Sequence, residues 1–462
     1  MEKRHLEKLH DNLWEIPRSY RPDMRVPARV YTDERMLDAI LQDRSLLQLT
    51  NVATLPGIRK FAIAMPDVHE GYGFPIGGVA AVDPQEGVIS PGGIGYDINC
   101  GVRVLRSRKS FADVAPVLSE LAHSIARGVP SGVGRGGPVR LKGNDLERIL
   151  RDGAARVVEM GHGEEEDLRH IESGGKLDGA DPSLVSEAAR ERGHDQLGTI
   201  GSGNHFVEID RIDTIYDEEE ALRFGLVSDG LVVQIHTGSR GLGHQVATDY
   251  IRVMSKAMQR YDIQMPDREL ACAPVRSPEG ERYLGAMNAA ANFAFANRQF
   301  ITAAVRRAWI REFADDPLGI LYDVAHNVAK RERYPDVGEV IVHRKGATRA
   351  FPGQPVLIPG SMGTASYLLV GQQASMNETF GSSCHGAGRV MSRTKARHEI
   401  RPEELKSRLR ALGIVFEAGS SKGLVEEAPE AYKDIDAVID VVANAGIAKK
   451  VARFRPIAVI KG

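Results

Sequence analysis

A carboxylate and a thiol lie three positions apart in the stretch Pro91-Gly-Gly-Ile-Gly-Tyr-Asp-Ile-Asn-Cys-Gly-Val-Arg103. Asp97 and Cys100 can therefore face one cation, and the surrounding glycines let the backbone approach a ligand closely. Two donors do not complete a site, because a divalent transition-metal ion takes about four to six. An isolated Asp-x-x-Cys equally describes a tight turn around a buried cysteine, so the interpretation depends on further donors.

Histidines at the ends of predicted strands, in or beside glycine loops, supply those donors. They are His205, His236, His326 and His385. A single histidine of this kind is usually structural, but four in similar settings, together with Asp97 and Cys100, favour a polynuclear metal site. Two neighbouring ions can clamp the oxygens of a phosphoryl group, and a thiolate can bridge them. Oxygen donors favour manganese or magnesium and sulfur favours zinc, so the donor set leaves the metal open.

His385 differs from the other three histidines because its neighbours are small. It lies in Cys384-His-Gly-Ala-Gly-Arg389, which leaves the ring open to a large ligand. A neutral imidazole is a competent nucleophile toward activated phosphorus and would form a phosphoramidate. The residues alone do not distinguish this role from that of a sixth metal ligand. Cys384 is interpreted as structural.

The elements that position these side chains follow from hydrophobic periodicity and turn residues. Asp67 and His69 fall in a predicted glycine loop, 66–78, and Lys461 has the appearance of a frayed terminus. Strands are expected at 61–65, 78–83, 102–105, 231–235, 319–324 and 340–343, and helices at 113–126, 145–160, 182–192, about 240–261, 281–313, 402–411 and 429–448. The predicted fold is α+β, with strands delivering glycine loops to a shared cleft and helices outside.

Composition restricts the class of protein. The 462 residues are 42% hydrophobic and 26% charged, which is typical of a globular protein, and no domain boundary is evident. Three cysteines are too few, and odd in number, for a disulfide framework, so we expect reduced thiols and a cytoplasmic protein. The chain lacks a long apolar run and an apolar signal-peptide core, so no membrane association is expected.

The net charge of −2 means that a polyanionic partner would be met by local basic patches. Each patch also describes a solvated face when taken alone. The basic clusters lie at 103–109, 306–311, 343–349, 389–397 and 449–455.

Several motifs closely resemble those of the RtcB family, the RNA ligases of tRNA splicing and RNA repair. They lie at 65–80, 89–103, 196–208, 236–245, 322–328, 343–353, 359–371 and 381–393, with the terminal Ala-Val-Ile-Lys-Gly. The resemblance implies one RtcB-like catalytic domain over 1–462 that uses GTP and two Mn²⁺ ions per chain. It implies joining of an RNA 3′-phosphate or 2′,3′-cyclic phosphate end to a 5′-hydroxyl end. Broken tRNA is the implied partner, an archease-like activating protein is a further possible one, and the implied state is a monomer.

The resemblance also implies roles for individual residues. His385 attacks the α-phosphorus of GTP and becomes guanylylated, and an RNA-(3′)pp(5′)G intermediate follows. Asp97, Cys100 and His205 resemble the ligands of one Mn²⁺, whereas Cys100, His236 and His326 resemble those of the second. The residues implied to contact the nucleotide are Asn204, His205, Phe206, Val207, Glu208, His326, Asn327, Pro359, Gly360, Ser361, Met362, Ser366, His385, Gly386, Ala387, Gly388, Tyr432 and Lys461.

The roles of two residues, Glu208 and Asp67, have a chemical argument. A carboxylate that accepts from N1–H and the exocyclic amine selects guanine over adenine, and Glu208 suits this task. By period two, Glu208 is expected on the same strand face as Asn204. Asp67 is predicted to orient the His385 ring by accepting from its second nitrogen.

Two other functions compete with the ligase hypothesis. A binuclear metal-dependent phosphoesterase needs the same Asp, Cys and His donors but neither a histidine nucleophile nor a guanine-binding carboxylate. An RNA-binding module with a structural metal predicts that His385→Ala leaves RNA processing intact. Labelling of His385 by GTP discriminates the ligase from both.

Overall fold

Two large β-sheets carry the chemistry-bearing residues. The computed structural model describes residues 1–132 and 136–462. Its strands are β1 Glu7–His10, β2 Leu13–Ile16, β3 Ala28–Tyr31, β4 Ile58–His69, β5 Ile76–Val82, β6 Val88–Ile89, β7 Gly101–Ser110, β8 Phe206–Ile215, β9 Gly230–Thr237, β10 Ala273–Pro274, β11 Gly319–Ala325, β12 Asn327–Tyr334, β13 Gly338–Lys345, β14 Ala347–Arg349, β15 Pro355–Ile358, β16 Ser366–Gly371, β17 Ser382–Cys384, β18 Val415–Ala418 and β19 Ala448–Lys461.

The first sheet has the order β1-β2-β3-β4-β5-β13-β12, and the second has the order β11-β7-β9-β8-β19-β16-β15, with β18 added beside β19. Neighbouring strands are antiparallel except for the pairs β3–β4 and β18–β19. An apolar cluster contains Ile63 and Val342 from the first sheet and Val356 and Leu369 from the second. The two sheets therefore share a core.

Helices surround and connect the sheets. They are α1 Glu34–Ile40, α2 Ser45–Val52, α3 Phe111–Val114, α4 Leu118–Gly128, α5 Asp145–Asp152, α6 Ala154–Glu159, α7 Glu165–Arg169, α8 Glu187–Gly193, α9 Glu218–Arg223, α10 Arg240–Arg260, α11 Pro278–Glu312, α12 Gln373–Glu378, α13 Arg393–Glu399, α14 Pro402–Ala411, α15 Ser421–Glu426 and α16 Ile435–Asn444. The α+β prediction is confirmed. That residues 1–462 form one catalytic domain stays a prediction.

The longest helix, α11, begins at a Ser277 cap that accepts a hydrogen bond from the Gly280 amide, with Pro278 in the first turn. Alanines along its middle let it pack closely against α10, α4 and β9. Its arginines do not all lie on outer faces, because Arg298 is buried with no exposed surface. Beside the apolar stripe expected from its periodicity, α11 therefore carries buried polar side chains. These include Arg298, Asn292 and Asn297.

Four local predictions were wrong. Asp67 and His69 lie in β4 and not in a glycine loop, because β4 continues through Pro66 to pair with β5. The basic cluster 343–349, which taken alone describes a solvated face, is formed by β13 and β14 and is mostly buried. The predicted helix 429–448 shortens to α16, and its last residue, Ala448, begins β19.

The fourth concerns Lys461, which is not a frayed terminus. It is 2% exposed at the end of β19, because it pairs there with Phe206 of β8 on one side and with Ala418 of β18 on the other. In the described parts of the chain, none of the helices combines the length and apolar character that a membrane crossing needs.

Candidate functional site

A cavity of about 310 Å³ opens where strands of both sheets end. The register of the second sheet pairs Val102 with both His236 and Val324, which brings the start of β7 beside the ends of β9 and β11. Cys100 immediately precedes β7, His236 lies in β9, and His326 immediately follows β11. Strand pairing therefore places three of the predicted ligands at one end of the cavity.

The five predicted metal ligands form a continuous row of donor atoms. Oδ2 of Asp97 lies 3.0 Å from Nε2 of His205, which lies 3.2 Å from Sγ of Cys100. The sulfur lies 3.4 Å from Nε2 of His236, and that nitrogen lies 3.4 Å from Nε2 of His326. A tetrahedral ion with bonds of about 2.1 Å separates its donors by about 3.4 Å. The row has the spacing of a metal centre, with Cys100 in the middle.

The hydrogen bond of the His205 ring to Ile200 supports a cation at this position. Its Nδ1 lies 3.0 Å from the carbonyl oxygen of Ile200 and donates its proton there, so Nε2 carries a lone pair. That lone pair faces the carboxylate of Asp97 and the sulfur of Cys100. With the ring neutral, these are three electron-rich groups in contact, which repel one another unless a proton on Nε2 or a metal cation lies between them. The donor set therefore fits a metal ion.

Asp97, His236 and His326 are held in states that can bind a metal, whereas burial raises the pKa of the Cys100 thiol well above its ordinary value. Burial opposes ionisation of Asp97, but its contacts with His205, Arg240 and Cys100 lower the pKa of its carboxyl to about 2. Burial and neighbouring histidines lower the pKa values of His236 and His326 well below the ordinary range. A carboxylate and neutral imidazoles are the forms that ligate divalent ions.

A glycine makes room for the Asp97 carboxylate. A Cβ added to Gly238 would lie 2.5 Å from both carboxylate oxygens of Asp97. Any larger residue at this position would displace Asp97 from His205. A glycine is therefore required after β9, because the Asp97 carboxylate lies too close to its Cα for a larger residue.

His385 follows β17 and lies on the cavity wall, with its ring centroid 4.7 Å from that of His326. Its Nδ1 lies 2.6 Å from Oδ2 of Asp67, and its backbone amide donates to the same oxygen at 3.1 Å. Nδ1 thus carries the ring proton, and the lone pair is on Nε2. A fixed nitrogen lone pair beside the ligand row can act as a nucleophile.

Most residues predicted to contact the nucleotide line this cavity. The lining members of that set are Asn204, His205, His326, Asn327, Pro359, Gly360, Ser361, His385, Gly386, Ala387, Gly388, Tyr432 and Lys461. Ser361 presents an Oγ that has no hydrogen-bond partner within the described ranges. Asn327 is already engaged, because its side chain donates to the Asp97 carbonyl and accepts from the Gly346 amide.

Five residues of the predicted set are not on the described cavity lining. Phe206 packs edge-on against the His236 ring, whereas Val207 and Met362 lie in apolar clusters. Ser366 accepts a hydrogen bond from the Gly360 amide through its Oγ and supports the lining from behind.

Glu208 is the fifth. It is 1% exposed, and burial together with Asp210 raises the pKa of its carboxyl well above the ordinary range. The predicted face shared with Asn204 was wrong, since β8 begins only at Phe206. The Oε1 of Glu208 has no hydrogen-bond partner within 1–132 and 136–462.

Several lining residues were missed by sequence reasoning. Tyr72 and Tyr96 line the cavity with ring centroids 5.5 Å apart. Lys345, assigned only to a basic cluster, is 5% exposed and donates to the carbonyls of Tyr72 and Phe74. Burial lowers the pKa of Lys345 to about 7. The basic cluster was the one signal, but it did not indicate burial.

Glu427 is a second missed residue, located behind the cavity wall. Its buried carboxylate accepts from Nη1 of Arg389 at 3.0 Å and from Nε of Arg393 at 3.1 Å, and it also contacts the hydroxyl of Tyr432. The two arginines belong to a predicted solvated cluster, yet both line the cavity. Glu427 therefore orients three lining side chains.

By its fold and its site, the chain is an α+β protein with a candidate transition-metal centre in a cavity of ligand-binding size. The family model described as tRNA-splicing ligase RtcB matches residues 48–462. A tRNA-splicing ligase RtcB of Thermococcus kodakarensis is 53% identical, with 99% of each chain covered. The chain belongs to the RtcB family, and the resemblance of its motifs is confirmed.

Two further relatives agree. A tRNA-splicing ligase RtcB of Archaeoglobus fulgidus is 50% identical, again with 99% of each chain covered. An RNA-splicing ligase RtcB of Mycobacterium tuberculosis is 49% identical over 90% of this chain and 100% of its own length.

Proposed function

We propose that this protein is a GTP-dependent RNA ligase that acts in tRNA splicing and RNA repair. It joins an RNA 3′-phosphate or 2′,3′-cyclic phosphate end to a 5′-hydroxyl end. The observation that carries the proposal is the His385 ring, fixed by Asp67 at 2.6 Å and directed into the cavity beside the ligand row. A binuclear metal-dependent phosphoesterase attacks phosphorus with a metal-bound hydroxide and needs no nucleophilic imidazole in that position.

The first step is attack by Nε2 of His385 on the α-phosphorus of GTP. A nitrogen–phosphorus bond forms, the bond from the α-phosphorus to the bridging oxygen breaks, and pyrophosphate leaves. Nδ1 keeps its proton throughout, because the Asp67 carboxylate accepts from it. Asp67 also stabilises the positive charge that develops on the ring.

In the second step an oxygen of the RNA 3′-phosphate attacks the guanylyl phosphorus and breaks its bond to His385. The RNA then carries a (3′)pp(5′)G end. The 5′-hydroxyl oxygen of the other strand attacks the 3′-phosphorus, its proton is lost, and GMP leaves. A 2′,3′-cyclic phosphate is first opened by water to the 3′-phosphate.

The metal centre is proposed to hold two Mn²⁺ ions. Asp97, Cys100 and His205 would hold the first, and Cys100, His236 and His326 the second. When bound, the ions neutralise charge on phosphate oxygens during in-line displacement. The buried thiol of Cys100 has the central position that a bridging ligand needs.

The guanine base is proposed to be read by Glu208, whose Oε1 is buried without a partner in the described ranges. Ser361, Tyr432 and Lys461 are proposed to contact the rest of the nucleotide, since all three are on the cavity lining. Burial lowers the pKa of the Lys461 ammonium group, and the nearby carboxyls of Glu427 and Glu208 act in the opposite direction. A cytoplasmic location, action as a monomer and activation by an archease-like protein are part of the same proposal.

The test is incubation of the purified protein with Mn²⁺ and α-labelled GTP, followed by denaturation. We expect an acid-labile, hydroxylamine-resistant label that is absent from His385→Ala. The matched control is His398→Ala, because His398 is exposed on α13 outside the cavity lining. No label on the wild-type protein, or the same label on His385→Ala, would overturn the proposal.

A further inference from the structure

The buried side chain of Arg298 contacts the three segments next to the candidate ligands of the second ion, which are the turn before β7, the end of β9 and β11. From the middle of α11, its Nη1 donates to the carbonyls of Asn99 and Thr237, each at 2.9 Å. Its Nε donates to both carboxylate oxygens of Asp323, at 3.1 and 3.0 Å. Asn99 precedes Cys100, Thr237 follows His236, and Asp323 lies in β11, which ends just before His326.

We infer that Arg298 is a positioning residue that sets the geometry of the metal centre, an inference that rests on the proposed function. Pairing of β7 with β9 and β11 sets the register of the strands, and backbone hydrogen bonds from Asn99 to Asn327 and from Cys100 to Asp97 also hold the turn before Cys100. Arg298 adds a constraint that these bonds do not supply, because one planar guanidinium joins the turn to both β9 and β11.

The turn before Cys100 needs such a constraint. Asn99 has a φ of 56°, in the left-handed region that a non-glycine residue adopts only when its surroundings hold it. Its Nδ2 donates to the carbonyl of Ala291 at 2.8 Å, while its own carbonyl accepts from Arg298. Ala291 and Arg298 lie about two turns apart on one face of α11. The helix therefore grips Asn99 by both its side chain and its backbone.

Arg298 and its neighbour Arg103 differ in the groups that hydrogen-bond to their buried charges. Both arginines pair with Asp323, and the side chains of all three residues have no exposed surface. Two guanidinium groups thus share one carboxylate, and a buried excess charge needs further hydrogen bonds. Arg103 obtains them from the side chains of Gln299 and Thr302, whereas Arg298 obtains them from the ligand-bearing backbone.

The two arginines therefore form a matched pair. They have equal burial and a common carboxylate, but only Arg298 hydrogen-bonds to the segments next to Cys100 and His236. Lysine at either position keeps the positive charge but has one nitrogen, which cannot reach the carboxylate and two carbonyls together. A purely structural role predicts similar effects of the two substitutions, and a positioning role predicts different ones.

The experiment compares wild type, Arg298→Lys and Arg103→Lys without any activity assay. Free Mn²⁺ is titrated by electron paramagnetic resonance, and the absorption spectrum of bound Co²⁺ reports coordination geometry. We expect Arg298→Lys to weaken Mn²⁺ binding about 10- to 100-fold and to change the Co²⁺ spectrum. Arg103→Lys should keep Mn²⁺ affinity within about 3-fold of wild type even if its melting temperature falls.

Wild-type affinity and an unchanged Co²⁺ spectrum in Arg298→Lys would overturn the inference, as would equal losses in both variants. Failure of the wild type to bind Mn²⁺ would instead contradict the proposed function. If Arg298→Lys does not fold, Asn99→Ala replaces it, because that change removes the hydrogen bond between the Asn99 side chain and α11. Unchanged Mn²⁺ affinity in Asn99→Ala would then overturn the inference.

Discussion

The carboxylate of Asp67 holds the ring of His385 through a 2.6 Å contact between Oδ2 and Nδ1. Asp67 is buried in β4, and Nζ of Lys433 donates to the carbonyls of Pro66 and Val68 on either side of it. The carboxylate is thereby fixed on the backbone of a central strand. This pairing determines which nitrogen of the His385 ring faces the cavity.

Asp67→Asn should therefore slow guanylylation more than it weakens GTP binding. An asparagine amide that donates to Nδ1 moves the ring proton to Nε2, which then has no lone pair for attack. We expect the guanylylation rate to fall about 10²- to 10⁴-fold. Single-turnover labelling measures the rate, and equilibrium binding of GTP is the control. An unchanged rate would show that Asp67 does not select the tautomer.

Cys100→Ala should abolish RNA joining and leave the protein folded. The sulfur lies in the middle of the donor row, so its loss removes a ligand from both proposed ions. We expect Mn²⁺ affinity and joining activity each to fall more than about 100-fold. Cys272→Ala is the matched control, since Cys272 is also a buried free cysteine but is not part of the cavity lining. Retained joining in Cys100→Ala would contradict the two-ion assignment.

Glu208→Gln should weaken the preference for GTP over ATP. The substitution replaces one acceptor by a donor that faces the donor edge of guanine. A typical hydrogen bond contributes about 0.5–1.5 kcal/mol, so discrimination should fall about 2- to 10-fold. Glu218→Gln is the control, because Glu218 is an exposed carboxylate on α9 outside the cavity lining. Competition between labelled GTP and ATP gives the ratio, and an unaltered ratio would refute the role of Glu208.

Glu172→Gln should produce a stability loss that depends on pH. Glu172 accepts from the Ala325 amide beside His326 and pairs with Lys330 at 2.7 Å. Burial opposes its ionisation, but Lys330 and Arg349 lower the pKa of its carboxyl to about 2. In the unfolded chain the Glu172 carboxyl titrates at about pH 4.3. Its lowered pKa in the folded state therefore contributes on the order of 3 kcal/mol to the free energy of unfolding at neutral pH.

Because the folded pKa is lowered, this stabilisation is present above the unfolded pKa and is lost as the pH falls toward about 2. The free energy of unfolding of Glu172→Gln should therefore lie below that of wild type at pH 7, and the two should converge in acid. Urea titrations at pH 7, 4 and 3 measure the difference. A constant gap across these pH values would contradict the ion-pair account.

The types and the approximate places of the metal donors were predictable from the sequence. Asp97, Cys100, His236 and His326 occur beside strands and glycines, and these local patterns survive folding because short-range backbone preferences produce them. Strand and helix existence was predicted well where periodicity was strong, as for β9, α10 and α11. Element ends were less accurate, and β4 and α16 show that pairing partners and caps decide them.

The sequence by itself determined the donor chemistry, the family and the α+β class, since all three depend on residue types and short spacings. Only the tertiary structure decided that Lys461 is an interior strand residue, that Glu427 orients two arginines, and that Arg298 joins the turn before Cys100 to β9 and β11. The physical reason is that burial and contacts between distant segments are properties of the packed chain. A charged residue has the same local signature whether it is solvated or enclosed, and its partners are known only after the strands pair.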